Sequence, residues 1–207
     1  MEDALLTSLL LTAAMATPVT YEVTPDDSRL YVLVRYDRST LLPGHDHVVA
    51  ATDYKATVIW DPEDLASCAI SYVLDVRNLA VEPGDARSWE ELEGSTPERS
   101  KPKIQANFWS ETQLNASSFA QITFESTRCE ARGAVVDVTG TFAMRGVSRE
   151  VTIPMTIEAT PEGFSASGST TLLGSRWGLE PYTAALGALR NDDALKLGVV
   201  AVGRPVP

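Results

Sequence analysis

The stretch GTFAMRGVSREVTIPMTIEA, residues 140–159, decides the fold. Phe142 and Met144 take alternate positions before Arg145-Gly146. Beyond that pair, Val151, Ile153, Met155 and Ile157 alternate with Glu150, Thr152 and Thr156. Period-two alternation marks a strand with one buried face, because successive side chains point to opposite sides. Arg145-Gly146 is a turn signal between two such runs, so the stretch reads as a β-hairpin.

The same alternation extends outward. Ile70, Tyr72, Leu74 and Val76 alternate with Ser71 and Asp75, Val136 and Val138 precede Phe142, and Leu195, Leu197, Val199 and Ala201 recur near the end. The pattern predicts eight strands, near 30–36, 48–60, 67–76, 119–129, 134–144, 149–159, 163–172 and 194–203. Turn residues at Asp61-Pro62, Arg132-Gly133, Arg145-Gly146 and Pro161-Glu162-Gly163 separate several of them by distances that suit antiparallel hairpins. Neither a GxGxxG motif nor strand–helix alternation argues for a parallel nucleotide-binding sheet.

From Gly84 to about Ser118 the composition turns polar, and Trp89 with Leu92, and Ile104 with Phe108, stand at helical spacing. One or two short helices are expected there, on the crossover between the third and fourth strands. GLEPYTAALGALRND, residues 178–192, reads as a helical turn or lid before the last strand. Eight antiparallel strands must manage their edges, and closure into a barrel removes them. The expected fold is all-β: an eight-stranded antiparallel barrel, whose interior is either packed solid or holds one small elongated ligand. Ala56, Gly140, Ala166, Gly168 and Gly198 read as small inward positions that leave room for a guest, or, for the glycines, as bends in the sheet.

Composition narrows the function. The apolar and charged fractions, 44% and 22%, are those of an ordinary globular chain. A net charge of −11 argues against nucleic acid and against a basic patch on anionic lipid. Cys68 and Cys129 fit no metal spacing; they are either a disulfide or two buried thiols. Residues 1–20 hold an apolar run, Ala4 to Ala16, too short to span a bilayer. Ala14-Met15-Ala16 has the form of an export-signal cleavage site, whereas Glu2 and Asp3 stand where a signal carries basic residues. An export signal, giving a periplasmic or secreted protein, and an N-terminal helix on a cytoplasmic protein are both open. Residues 21–207 read as one domain.

Several pieces in order resemble the YceI-like family of bacterial lipocalin-like barrels. Residues 140–159 are similar to its G-x-L-x-x-x-G-V-x-x-x-V-x-x-x-V hairpin, and NASSFAQITFES (115–126) to the segment before it. GSRWGLEP (174–181) resembles its aromatic-Gly turn, and VTPDDSRLYVLV (23–34) its first strand. Asp27-Ser28 replaces the family's frequent His-Ser, so a ligand contact assigned to that histidine does not carry over. The resemblance implies an exported barrel that binds a polyisoprenoid, an isoprenoid quinone or a related long apolar lipid, as carrier or reservoir. It implies no cofactor and no catalytic machinery. A homodimer is left open.

The candidate ligand-binding residues are His45, His47, Phe108, Trp109, Phe142, Arg176 and Trp177. His45 and His47 flank Asp46 and are the only histidines. They either start the metal site of a metal-dependent enzyme, brace a turn by hydrogen bonding, or touch a lipid's polar end at the barrel mouth. Arg176-Trp177 is either an aromatic plug with an Arg beside it or an Arg that meets a phosphate head group. Phe108 and Trp109 pack the crossover helix on the barrel and are candidates for its entrance; Phe142 lies on an inner face. Glu90, Glu91 and Glu93 read as a solvated helix face.

Overall fold

A computed structural model describes residues 17–206, so most of the expected leader or helix at residues 1–20 lies outside the described residues. The hairpin forms as read. Its strands, Val135–Met144 and Val147–Thr160, pair from Val136↔Met155 to Met144↔Val147. Arg145 and Gly146 turn the chain with φ of 53° and 73°. Two consecutive positive φ values are what a tight hairpin turn needs, and glycine takes its place there without a Cβ penalty.

The strands in chain order are β1 (Val19–Val23), β2 (Arg29–Tyr36), β3 (His47–Ala51), β4 (Lys55–Trp60), β5 (Ala69–Asp75) and β6 (Leu79–Val81), followed by α1 (Lys101–Trp109). After it come β7 (Gln121–Arg132), β8 (Val135–Met144), β9 (Val147–Thr160), β10 (Gly163–Leu173), β11 (Thr183–Ala184) and β12 (Leu189–Pro205). They make eight staves, because β1 and β2, β3 and β4, and β5 and β6 are halves of kinked strands, and β11 pairs only with β12. The staves follow one another antiparallel, and β1 pairs with both β4 and β12 to close the ring.

Only the lower half closes by strand pairing. In the upper half β12, β2, β3 and β6 follow in order, and β6 is an edge. The Gln105 side chain of α1 takes the place of a neighbouring strand: its Nε2 donates to the Leu79 carbonyl (2.8 Å) and its Oε1 accepts from the Val81 N–H (3.0 Å). An edge that would otherwise expose its backbone groups is thus satisfied by one amide. Ile104 and Phe108, one turn apart, pack over Val34, Val49 and Val81 at the same seam.

The lower end is sealed by aromatics. The rings of Tyr21 and Phe164 lie 5.4 Å apart, the Tyr21 hydroxyl donates to the Thr160 carbonyl (2.7 Å), and Trp60 is buried beside them in the same core cluster. Cys68 and Cys129 form a disulfide with Cα atoms 6.1 Å apart, tying the β4–β5 connection to β7. Outside the barrel, Leu33 and Val48 are covered by Ala86, Trp89 and Leu92 of the crossover.

Two readings need correction. Glu90 does not belong to a solvated face: Lys196 Nζ reaches its two oxygens at 2.6 and 2.8 Å, and the Tyr31 hydroxyl donates to it at 2.7 Å. These contacts clamp the crossover onto the outer wall, and burial together with the carboxylate raises the Tyr31 hydroxyl to about 12. The glycines also do not leave empty space. A Cβ on Gly140 would lie 2.5 Å from the Phe124 ring and from the Glu125 carbonyl, and one on Gly168 would lie 2.5 Å from Met155 Sδ. A Cβ on Gly198, between the inward Leu197 and Val199, would meet the Tyr31 ring at 2.3 Å. Each missing side chain admits a neighbour's bulk.

Candidate functional site: an apolar cavity with an acidic mouth

The inward faces do not meet. They enclose a cavity of about 210 Å³, far more than the roughly 10–15 Å³ that one water needs. Its wall is apolar: Leu195, Leu197 and Val199 of β12, Val138, Phe142 and Met144 of β8, and Ile153, Met155 and Ile157 of β9 all line it. These are the alternating positions that define the strands, so one pattern specifies both the sheet and the lining.

Depth comes from alanines. Ala56, Ala166 and Ala201 line the cavity. Ala166 pairs with Ala201, and Ala56 pairs with Val23, itself opposite Gly203 on β12. Ala166 and Ala201 therefore adjoin on neighbouring staves, and Ala56 follows on the far side of Val23, all toward the closed end. Tyr72 is the polar exception on this wall. Burial, and then the neighbouring Tyr54 at 5.4 Å between rings, push its hydroxyl pKa up, so it stays neutral.

The mouth lies at the end where β2 joins β3, where the crossover leaves β6, and where β10 joins β12. Gln113, Glu180, Pro181, Tyr182, Asn191, Asp192 and Asp193 line it. Three consecutive residues of β12 reach the cavity because the strand bulges: Asn191 pairs with Tyr36, but the next pair is Leu195 with Val34. A bulge breaks the alternation and re-aims side chains. The Glu180–Tyr182 segment is strapped across the rim. The Glu180 N–H donates to the Thr112 carbonyl (2.9 Å), Gln113 Nε2 donates to the Glu180 carbonyl, and the Asn191 N–H donates to the Tyr182 carbonyl (2.9 Å). Asp193 is held by the Ser175 N–H (2.7 Å) and hydroxyl (2.5 Å). Among the described residues, no Lys, Arg or His lines the cavity.

Of the residues singled out by sequence, Phe108 and Phe142 are on the cavity wall. Trp177 is not: it is 2% exposed, meets Phe142 edge-on at 5.7 Å and donates Nε1–H to the Phe142 carbonyl (3.3 Å). Arg176 is exposed and off the cavity, and its carbonyl accepts from Arg149 Nε (2.6 Å). Trp109 donates to the Val76 carbonyl (3.1 Å) with the Arg77 guanidinium over its ring, away from the lining.

The histidines part company. His45 is exposed, whereas His47 sits 2.8 Å from Glu82 Oε1, which also accepts from Arg87 (2.8 Å) and Thr96 (3.1 Å). Burial pushes the Glu82 carboxyl up, but hydrogen bonds from His47, Thr96 and Arg87 outweigh it and hold the pKa below the usual value. Asp46, between the histidines, accepts from the Tyr36 N–H (3.1 Å) and pairs with Arg38 (2.7 Å). Among the described residues, no three His, Cys, Asp or Glu side chains cluster as metal ligands.

Sequence reasoning missed the mouth. Nothing in the spacing of Asn191-Asp192-Asp193 announces a bulge, although three polar residues ahead of an apolar alternation were a signal that the strand changes there.

The barrel is consistent with binding a hydrophobic ligand. No described helix is long and apolar enough to cross a membrane. A family profile for the YceI-like domain matches residues 21–201. No curated protein matches the chain. Among solved structures, Burkholderia cenocepacia BcnA is 17% identical with a TM-score of 0.64, the match covering 87% of this chain and 98% of that one. The Campylobacter jejuni YceI protein is 14% identical with a TM-score of 0.57, covering 77% of this chain and 84% of the other. At these identities the solved structures speak for the fold, and the profile, which spans most of the chain, settles the family: this protein belongs to the YceI-like domain family.

Proposed function

We propose that the protein holds one long, uncharged isoprenoid lipid, a polyprenol or isoprenoid quinone, with its chain in the barrel and its head at the mouth. The reading is of a binding protein, carrier or reservoir, and not of an enzyme. The cavity carries it: an apolar tube open at one end, with polar side-chain groups only at the opening and on Tyr72. Burying a methylene is worth ~0.8 kcal/mol, so a chain that buries about ten of them gains roughly 8 kcal/mol before the cost of ordering it.

The mouth favours a neutral head group. Glu180, Asp192 and Asp193 repel a phosphate, and Arg176, the residue that would have met one, is off the cavity. Hydroxyl or phenol donors suit these carboxylates, and the Asn191 amide suits a carbonyl. The disulfide favours an oxidising compartment, in line with export.

Displacement of a fluorescent apolar probe tests the reading. A long-chain polyprenol should displace it at much lower concentration than the matching polyprenyl phosphate. Equal displacement, or preference for the phosphate, counts against the neutral-head assignment.

A further inference from the structure

Two loops stand beside the mouth, and both present bare leucine. The β2–β3 loop carries Leu41 and Leu42, 90% and 45% exposed, and the tip of the β11–β12 hairpin carries Leu186, 109% exposed. Isolated surface leucines need no explanation. Here, three of the six exposed large hydrophobics among the described residues gather at one place. The loops are joined: the Leu42 N–H donates to the Ala188 carbonyl (2.8 Å) and the Asp37 N–H to the Arg190 carbonyl (2.8 Å).

Leu186 is held there at some cost. Its φ is 55°, in the left-handed region that bulky residues avoid, and Ala185 before it has φ 51°. A backbone outlier that displays an apolar side chain to water points to a role for the display. The hairpin is also continuous with the cavity, since Tyr182 at its base and Asn191 across from it are hydrogen-bonded and both line the mouth.

The charges around the leucines cancel. Arg38 pairs with Asp46 (2.7 Å), and Arg190 pairs with Asp37. The charges that flank the leucines are thus paired, and the unpaired charges nearest them are the carboxylates of the mouth, Glu180, Asp192 and Asp193, on a chain whose total is −11. A surface of this kind gains nothing from anionic lipid and something from an uncharged, oily one.

We infer that the two loops are a membrane-docking tip. The protein seats mouth-down on a zwitterionic bilayer, with Leu41, Leu42 and Leu186 inserted at the acyl-chain boundary, so that a lipid enters the cavity without crossing open water. Three leucines give a shallow, reversible contact, as a shuttle requires. This inference rests on the lipid-cavity reading but fails separately from it.

Flotation with phosphatidylcholine vesicles tests it. The wild-type protein should float with the vesicles at low and high salt alike. The triple variant Leu41→Ser, Leu42→Ser, Leu186→Ser should lose at least tenfold of that partitioning, while Val200→Ser, an exposed residue on the barrel wall, should not. The triple variant should still take up lipid from detergent, with an unchanged melting temperature; failure of wild type and variant alike to take up lipid would sink the cavity reading and leave the flotation result standing. Wild type that stays with the soluble fraction, a triple variant that floats equally well, or a triple variant that only converts a dimer to a monomer would each overturn the docking assignment.

Discussion

His47 Nδ1 lies 2.8 Å from Glu82 Oε1, in a pair whose carboxylate is only 3% exposed. Arg87 and Thr96 converge on the same oxygen, and Lys101 Nζ binds the Glu82 carbonyl (3.0 Å). One carboxylate thus ties β3 to the first part of the crossover that covers the barrel's outer wall. Removing it deprives the largely buried His47 and Arg87 of their shared carboxylate, and leaves Arg87 only its bonds to the Asp46, Glu93 and Gly94 carbonyls. Glu82→Ala is expected to cost roughly 2–3 kcal/mol in denaturant unfolding.

The same group sets an acid limb. The folded pKa of Glu82 lies below its unfolded value, so the pair contributes stability fully above the ordinary carboxyl range of about 4.3. That contribution is lost as pH falls through the lower, folded value. Melting curves taken from neutral pH down through that range should show a smaller loss for Glu82→Gln than for the wild type. An identical acid limb in the two proteins would remove Glu82 from the explanation.

The disulfide should matter more than either cysteine's burial. Cys68 and Cys129 are 61 residues apart, a loop whose closure in the unfolded chain is worth about 4 kcal/mol on the chain-entropy scale. The double variant Cys68→Ser, Cys129→Ser is expected to lose roughly 2–4 kcal/mol, read by urea unfolding with and without reductant. Reductant should leave the variant's midpoint unchanged and lower that of the wild type.

Much of this architecture was legible, and what was hidden has a common cause. The eight staves follow from alternation at Phe142–Met144, Val151–Ile157 and Leu195–Ala201, because a half-buried strand has no other pattern to offer. The interruptions at Pro25–Asp27 and Val76–Asn78 are short turns inside strands, so the first stave starts at Val19, earlier than alternation alone indicates. That a histidine is held by a hydrogen bond was legible as one alternative, although His47 ties β3 to the crossover and does not brace its own turn. Its partner was not, since Glu82 is 35 residues away and only the crossover's path brings it back. Glu90 was misjudged for the same reason: Lys196 is 106 residues distant. The acidic mouth depends on a bulge in β12, a backbone event without a composition of its own.

Gly140 offers a packing test. A Cβ there would sit 2.5 Å from a backbone oxygen that cannot swing aside and 2.5 Å from a ring on the cavity wall. Gly140→Ala is expected to destabilise by about 1–3 kcal/mol and to displace Phe124 toward the ligand space, weakening probe binding as well. A variant as stable as the wild type, with unchanged probe affinity, would show that the sheet yields at that point.

The alanine pair should act as a ruler. Ala166 and Ala201 face each other across β10 and β12 near the closed end. Ala166→Leu or Ala201→Leu would fill that end at a cost of about 1–3 kcal/mol or less, with the mouth untouched. The longest polyprenol that displaces the probe should become shorter, while affinity for short chains stays the same. Loss of affinity at every chain length would mean that these positions do not mark the cavity's depth.

The central claim is that the apolar interior is a berth for a lipid, and native mass spectrometry of the purified protein addresses it most directly. The spectrum should contain a species heavier than the polypeptide by the mass of one isoprenoid lipid, released intact by organic extraction and restored when a long-chain polyprenol is added back. A spectrum with the bare polypeptide alone, unchanged after incubation with polyprenol or isoprenoid quinone, would contradict it.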